Sequence, residues 1–377
     1  MRPDRATPPA PSARLDGLPG YGKGRAAGAR VAAHRLGSNE APDTVHPAIA
    51  RAVTAALSGA NRYPDLRGET LAAALAARHG LAAAQIAVSA GSIVLLDQIL
   101  RGWCDSGDEI VAPWRSYEAY PIIAGLSGAE LVQVPLNTEH GVDAAALLAA
   151  LTPRSRIALI CNPNNPTGTA LEPQALDALI AAIPAHILVV LDEAYCDFAG
   201  EAEAVAKSPA ARLSRHPNLV ILRTFSKAWG LAGLRVGYAM AAPEIIRNIH
   251  AVQPPFPLPG VALAAALAAL DHEPAVTARI ARNATERRRL SEGLRAKGVP
   301  VAPSQANFVW LPLGERSAAL NAHLAQMDIA ARCFDGEGLR ITTGTADDTD
   351  AVLDAVASWR PHMGSASTPK PMGARDK

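Results

Sequence analysis

The stretch Leu219-Val-Ile-Leu-Arg-Thr-Phe-Ser-Lys-Ala-Trp-Gly-Leu-Ala-Gly-Leu-Arg-Val-Gly-Tyr-Ala-Met240 decides how the rest of the chain is read. Two apolar runs, Leu219–Arg223 and Val236–Met240, have the composition of buried strands. Between them stand Thr224, Ser226, Lys227 and Arg235, with glycines at 230 and 233, and a third glycine, 237, opens the second run after Val236. A lysine after a serine is, taken alone, most often a solvated surface residue. At the end of a buried strand it can instead face a pocket. There a lowered pKa gives a neutral amine able to attack a carbonyl and shuttle protons. Thr224, Ser226 and the forked guanidinium of Arg235 are suited to an anion such as phosphate.

Outward from this stretch, short β-prone runs alternate with helical ones. Strands are expected at Ile86–Val88, Glu109–Val111, Leu131–Val134, Ile157–Ile160 and Ile187–Leu191, with helices over Ile93–Trp103, Ala144–Leu151 and Pro173–Ala182. That alternation predicts an α/β fold, a mostly parallel sheet covered on both faces. After a proline-rich hinge, Gln253–Gly260, a long helical stretch runs from Val261 to about Lys297. It is followed by a strand at Asn307–Leu311, a helix at Ser317–Met327, a strand at Leu339–Thr342 and a helix at Asp348–Ser358. The expected organisation is a flexible arm over 1–20, an N-terminal segment over 21–45 packing with the small domain, and a large domain over 46–252. A smaller α+β domain over 253–361 and a disordered tail over 362–377 complete it.

Three further segments carry candidate chemistry. In Val189-Val-Leu-Asp-Glu-Ala-Tyr-Cys196 a carboxylate follows an apolar strand. Asp192 there either caps a helix or meets a ligand at the sheet's C-terminal edge. Ile160-Cys-Asn-Pro-Asn-Asn-Pro-Thr-Gly-Thr169 is a rigid turn, an ordinary loop or a mount for the Asn165 amide. Val88-Ser-Ala-Gly-Ser-Ile-Val-Leu-Leu96 reads as strand, small-residue turn and helix. Backbone N–H groups at a helix start suit a phosphate.

The 377 residues, 49% hydrophobic and 19% charged, describe a globular chain with room for a large core. A net charge of +1 without like-charge blocks gives no electrostatic grip on nucleic acid or an anionic membrane. No apolar run approaches the roughly 20 residues of a membrane span. The four cysteines, Cys104, Cys161, Cys196 and Cys333, are scattered without metal-binding spacing. A reduced, cytoplasmic protein with no metal site is expected.

Together the quoted segments resemble the fold-type I aminotransferases dependent on pyridoxal 5′-phosphate (PLP), in particular the histidinol-phosphate aminotransferase family. The resemblance runs from about Tyr21 to Trp359 and includes Leu36-Gly-Ser-Asn-Glu-Ala-Pro42, Asn61-Arg-Tyr-Pro-Asp65 and Gly338-Leu-Arg-Ile-Thr342. It implies a PLP cofactor held as a Schiff base on Lys227. It also implies Asp192 at the pyridine nitrogen, Asn165 and Tyr195 at the ring oxygen, and Tyr117 stacked on the ring. Ser92, Ile93, Thr224, Ser226 and Arg235 surround the phosphate. Tyr63 reaches the phosphate of a neighbouring subunit, which implies a homodimer. Arg340 takes the substrate α-carboxylate, helped by Asn39 and Asn307, and Arg332 offers a second cation for a phosphate or the distal carboxylate of glutamate. The implied reaction is ping-pong transfer of an amino group between an amino acid and a 2-oxo acid, with Lys227 as general base and acid.

Within that family, Ile93-Val94 stand where the histidinol-phosphate pattern has an acidic pair after Gly-Ser. Trp114–Pro121 and Gln305–Gly314 look like the bacterial aromatic (phenylalanine) branch, although Tyr117 and Trp229 depart from its usual residues. An aromatic amino acid with 2-oxoglutarate is the expected pair. Histidinol-phosphate transamination and PLP-dependent decarboxylation on the same scaffold are the enzymatic alternatives. A PLP-sensing regulator has no room for a DNA-binding domain.

Overall fold

The computed structural model describes residues 10–21, 31–200 and 208–359. Strands are numbered in chain order: β1 His34–Arg35, β2 Ile86–Ser89, β3 Glu109–Trp114, β4 Glu130–Pro135, β5 Ser155–Cys161, β6 Leu188–Asp192, β7 Leu219–Thr224, β8 Gly237–Ala241, β9 Phe308–Leu311, β10 Ile329–Ala330, β11 Arg332–Phe334 and β12 Gly338–Thr342. Seven of them form one sheet in the order β2-β8-β7-β6-β5-β3-β4. β4, β3, β5, β6 and β7 run parallel, and β8 is antiparallel to both its neighbours.

Burial on both faces explains why these strands read as continuous apolar runs. Successive side chains point to opposite faces. Ala158, Ile160, Val189, Leu191, Leu219 and Ile221 therefore enter one core, while Ile157, Leu159, Leu188, Val190, Val220 and Leu222 enter the other. The first core is closed by the helices Glu69–His79, Pro173–Ala182 and Gly260–Leu270, the second by Ser92–Trp103, Tyr120–Ser127 and Pro243–Val252.

A second, three-stranded antiparallel sheet, β11-β12-β9, has its own core of Leu290, Leu294, Val309, Leu320, Ile341 and Val352. β1 pairs with β10, and Leu36 joins this smaller core, so the chain before residue 40 lies against elements more than 290 residues further on.

The expected strands fall on the apolar runs within one or two residues at each end, except that β3 continues three residues beyond Val111, to Trp114; the short strands β1, β10 and β11 were not expected. The stretch from Val261 to Lys297 is corrected: it is two helices, Gly260–Leu270 and Glu273–Ala296, bent by 77°. Pro274 lies in the first turn of the second helix, where its missing N–H costs nothing, but it cannot continue the first. The first helix buries its alanine face in the large core; the second is mostly polar and buries Leu290 and Leu294 in the small core. No single helix among the described residues is long and apolar enough to cross a membrane.

Of the arm expected over 1–20, residues 10–20 lie along helix Tyr120–Ser127. Leu18 covers Gly125, and Arg14 Nη1 donates to the Leu126 carbonyl at 3.4 Å. The tail expected over 362–377 lies outside the described residues.

Candidate active site

The parallel strands bring Trp114, Cys161, Asp192 and Thr224 to one edge of the sheet. The chain runs from β3 outward to β4 and returns to β5 on the other side of β3. Such a reversal opens a crevice beyond the strand ends. A cavity of about 330 Å³ occupies it. Its lining includes thirteen of the residues picked out from sequence: Asn39, Ser92, Ile93, Tyr117, Asn165, Asp192, Tyr195, Thr224, Ser226, Lys227, Arg235, Arg332 and Arg340.

Lys227 is held in a tight loop. Phe225 N donates to Val236 O at 2.9 Å, closing the base of the loop 225–236 between β7 and β8, and Gly230 N donates to Lys227 O at 3.0 Å within it. The amine donates to the Ser38 carbonyl at 3.2 Å. Burial, reinforced by the positive charges of Arg340 and Arg235 and opposed by Glu40 and Asp192, pulls its pKa down to about 7. Neutral amine is thus present at physiological pH.

Asp192 is buried, and its pKa is raised by that burial. Tyr120 donates its hydroxyl to Oδ2 at 2.8 Å and Ala194 its N–H to Oδ1 at 3.1 Å, both opposing the rise. Next in sequence, Glu193 accepts from Arg212 at 3.2 Å and from Arg223 at 2.8 Å in a buried cluster that fixes the loop after β6.

On the other side, Gly91 (φ 93°) precedes the helix Ser92–Trp103 without a side-chain cap, leaving the first N–H groups of that helix for another acceptor. Arg235, itself left-handed at φ 55°, donates to Ser226 Oγ at 3.2 Å, and Thr224 Oγ1 donates to Ser226 Oγ at 3.0 Å. The glycines are needed for this closeness. A Cβ at Gly91 would sit 2.6 Å from Arg235 Nη2, and one at Gly237 would sit 2.2 Å from Ser92 N.

Arg340 on β12 enters from the smaller sheet. It is buried, donating through Nη1 to Asn165 Oδ1 at 2.5 Å and through Nη2 to Gly37 O at 2.6 Å, while its Nε has no partner. Among the described residues no carboxylate pairs with it. Asn39, at φ 56°, donates to the Tyr195 hydroxyl at 2.9 Å. Tyr117 packs edge-on against Tyr120 and Tyr21, with its hydroxyl 3.3 Å from that of Tyr21.

Two expected residues are not brought to this cavity. Asn307 lies behind Asn39, donating to its backbone carbonyl at 3.1 Å, and lines a neighbouring cleft. Its place is to hold Asn39, because the β9 strand end passes behind the 36–39 segment. Tyr63 is 83% exposed and stacked on Phe256, centroids 4.4 Å apart.

A family model for aminotransferases of class I and II matches residues 33–356. The chain belongs to that family. The aminotransferase is 41% identical over 358 residues to an aromatic amino acid aminotransferase of Streptomyces coelicolor, covering 95% of this chain and 99% of the relative. It is 42% identical to one of Rhodococcus jostii, covering 92% and 94%. Among solved structures, histidinol-phosphate aminotransferase from Sinorhizobium meliloti in complex with PLP superposes with a TM-score of 0.80 at 28% identity, covering 87% of this chain and 91% of that one. The architecture is fold type I of the PLP-dependent transferases. Family membership and the PLP-bound neighbour imply PLP as the cofactor.

Several residues of the aminotransferase site escape a reading by motif. Tyr120, the partner of Asp192, stands three positions after Tyr117, the spacing of one helical turn, and that was the available signal. Glu118 accepts from Arg332 at 2.7 and 3.1 Å inside the cavity. Tyr21, Gly37 and Ser38 also line it, delivered by the N-terminal segment.

Proposed function

We propose that this aminotransferase moves an amino group between an aromatic amino acid and 2-oxoglutarate in a ping-pong cycle, with PLP carried on Lys227. The residues present fit the cofactor. An uncapped helix start, Ser226, Thr224 and Arg235 make a cradle that a single added Cβ at Gly91 or Gly237 would fill, which suits a phosphate. A buried acid whose pKa is raised, Asp192, suits a basic ring nitrogen, and an amine with a pKa of about 7 suits an aldehyde. Bound there, PLP supplies an electron sink for the pair left when a substrate α-proton departs.

The chain's own residues supply the rest. Asp192 holds a proton at the ring nitrogen, with Tyr120 keeping the carboxylate aimed. Asn165 and Tyr195 would hold the ring oxygen, and Tyr117 would cover the ring face. Lys227 Nζ would take the substrate α-proton as a base and give a proton back as an acid, its near-neutral pKa serving both directions. Arg340 takes the α-carboxylate and fixes which substituent faces Lys227.

One observation carries the substrate assignment. Beyond the phosphate cradle, Arg340 is the cavity guanidinium without a carboxylate partner among the described residues, and the wall beside it is Tyr21, Tyr117 and Ile93. A substrate with one carboxylate and an apolar side chain matches that arrangement, gaining roughly 25 cal/mol per Å² of apolar area buried. A phosphorylated side chain meets Glu118 beside Arg332. Tyr63, exposed on a surface that also shows Leu57 and Leu66, reaches the cofactor phosphate of a second subunit in a homodimer.

A donor panel with 2-oxoglutarate tests the reading. Phenylalanine or tyrosine is expected to exceed histidinol phosphate in kcat/KM by about tenfold or more, about 1.4 kcal/mol of transition-state preference. The reverse order overturns it.

A further inference from the structure

Arg332 and Arg340 stand directly opposite each other on adjacent antiparallel strands. That register puts two guanidinium side chains on one face, where like charges repel. Both line the cavity, and Arg332 contributes to the lowering of the Arg340 pKa after burial has done most of it. The two are treated differently. Arg340 donates only to an amide oxygen and a backbone carbonyl. Arg332 donates through Nε and Nη2 to a single carboxylate oxygen, Glu118 Oε2, at 3.1 and 2.7 Å. Side chains of this pair remain 23% and 26% exposed, so the contact is open to the cavity and not sealed in the core.

We infer that Glu118 is a specificity-determining residue, an internal counter-ion that occupies Arg332 while a substrate with a neutral side chain is bound and gives way to the distal carboxylate of an acidic one. The inference rests on the substrate role proposed above for Arg340 and on the one the family resemblance implies for Arg332. With an apolar side chain in place, the Arg332–Glu118 pair stays closed and no charge is left desolvated without a partner. With a dicarboxylate, Arg332 exchanges one carboxylate for another, and Glu118 turns toward solvent. Its charge then weakens the competing anion, so the same cavity takes both substrates of the cycle while disfavouring acidic ones. Glu118 sits one residue after Tyr117, so the segment that forms one wall of the cavity also carries its charge selection.

The test compares two unreactive acids on the holoenzyme by calorimetry: glutarate, with two carboxylates, and 3-phenylpropionate, with one and an aromatic group. Glu118→Gln is expected to shift the ratio of their dissociation constants toward glutarate by roughly threefold or more, as expected for a partly exposed ion pair. A smaller shift, or one toward phenylpropionate, overturns the inference. Glu118→Ser removes the charge by another route and is judged by the same criterion if the glutamine variant does not fold. Glu118→Asp, which keeps the charge, is expected to stay near the wild-type ratio, and a shift as large as that of the glutamine variant overturns the inference too. Failure of the aromatic reading is separate: wild-type enzyme then turns over phenylalanine no better than other donors, whatever the Glu118 variants bind.

Discussion

Lys227 shows how much one side chain's surroundings decide. An exposed lysine is almost wholly protonated at pH 7 and unreactive toward aldehydes. Here burial, then Arg340, bring the pKa to about 7, so the nucleophilic form is abundant in the cofactor-free chain. The sign follows: below pH 7 the neutral fraction falls roughly tenfold per unit, and above it the fraction levels off. The rate at which cofactor-free protein takes up PLP covalently is therefore expected to rise between pH 5 and 7 and flatten beyond, followed by absorbance. Borohydride reduction and peptide mapping should place the label on Lys227. A label on Lys297, or a rate still climbing tenfold per unit above pH 8, contradicts the assignment.

Asp192 and Glu193 are neighbours with different surroundings. Among the described residues Asp192 accepts from a hydroxyl and one N–H, and burial raises its pKa. Glu193 is already held by Arg212 and Arg223. The alternation of a strand's side chains sends one acid toward the cavity and the other into the opposite layer.

The loop between β2 and the helix Ser92–Trp103, and the start of β8, meet back to back. Gly237 has no room for a side chain, because its Cβ would lie 2.2 Å from Ser92 N and 2.5 Å from Gly91 C. Gly237→Ala is expected to displace the helix start, cost about 1–3 kcal/mol of stability by overpacking, and weaken PLP binding by about tenfold or more. Thermal unfolding and cofactor titration measure the two effects. A variant with unchanged PLP affinity removes the helix start from the phosphate cradle.

The assembled molecule draws its cavity from both sheets and from the segment before residue 40. Of the two expected site residues that do not line that cavity, Asn307 is buried while Tyr63 is exposed, and that exposure fits a contact across a dimer. Mixing two inactive variants, Lys227→Ala and Tyr63→Ala, is expected to restore up to about one-quarter of wild-type activity. Random pairing makes about half of the dimers hybrid, each with one of its two sites intact. No recovery on mixing, together with an active monomer in sedimentation, contradicts shared sites.

The apolar strands, the helices between them and the string around Lys227 were legible in the linear chain because their causes are local. A strand buried on both faces must be apolar throughout, and a tight β7–β8 turn with a lysine, a serine and an arginine needs small residues at fixed spacings. Asp192 was legible at a strand end, Asn165 in the turn after β5 and Ser92 at a helix start for the same reason. The break at Asp271-His272 was not, because alanine-rich sequence continues toward it and Pro274 suits a helix start as well as it forbids a helix interior. Nor were the pairings that set the charges of the site. Arg332 meets Glu118 across 214 positions, Asp192 meets Tyr120 across 72, and Asn39 is held by Asn307 across 268. No periodicity links such partners. They come together because β12 lies against β11 and β9, and because the chain before residue 40 is pinned to that small sheet. Composition and spacing thus specified which chemistry the chain carries, while the charge balance of its cavity arose from long-range packing that burial and ion pairing stabilise only in the folded molecule.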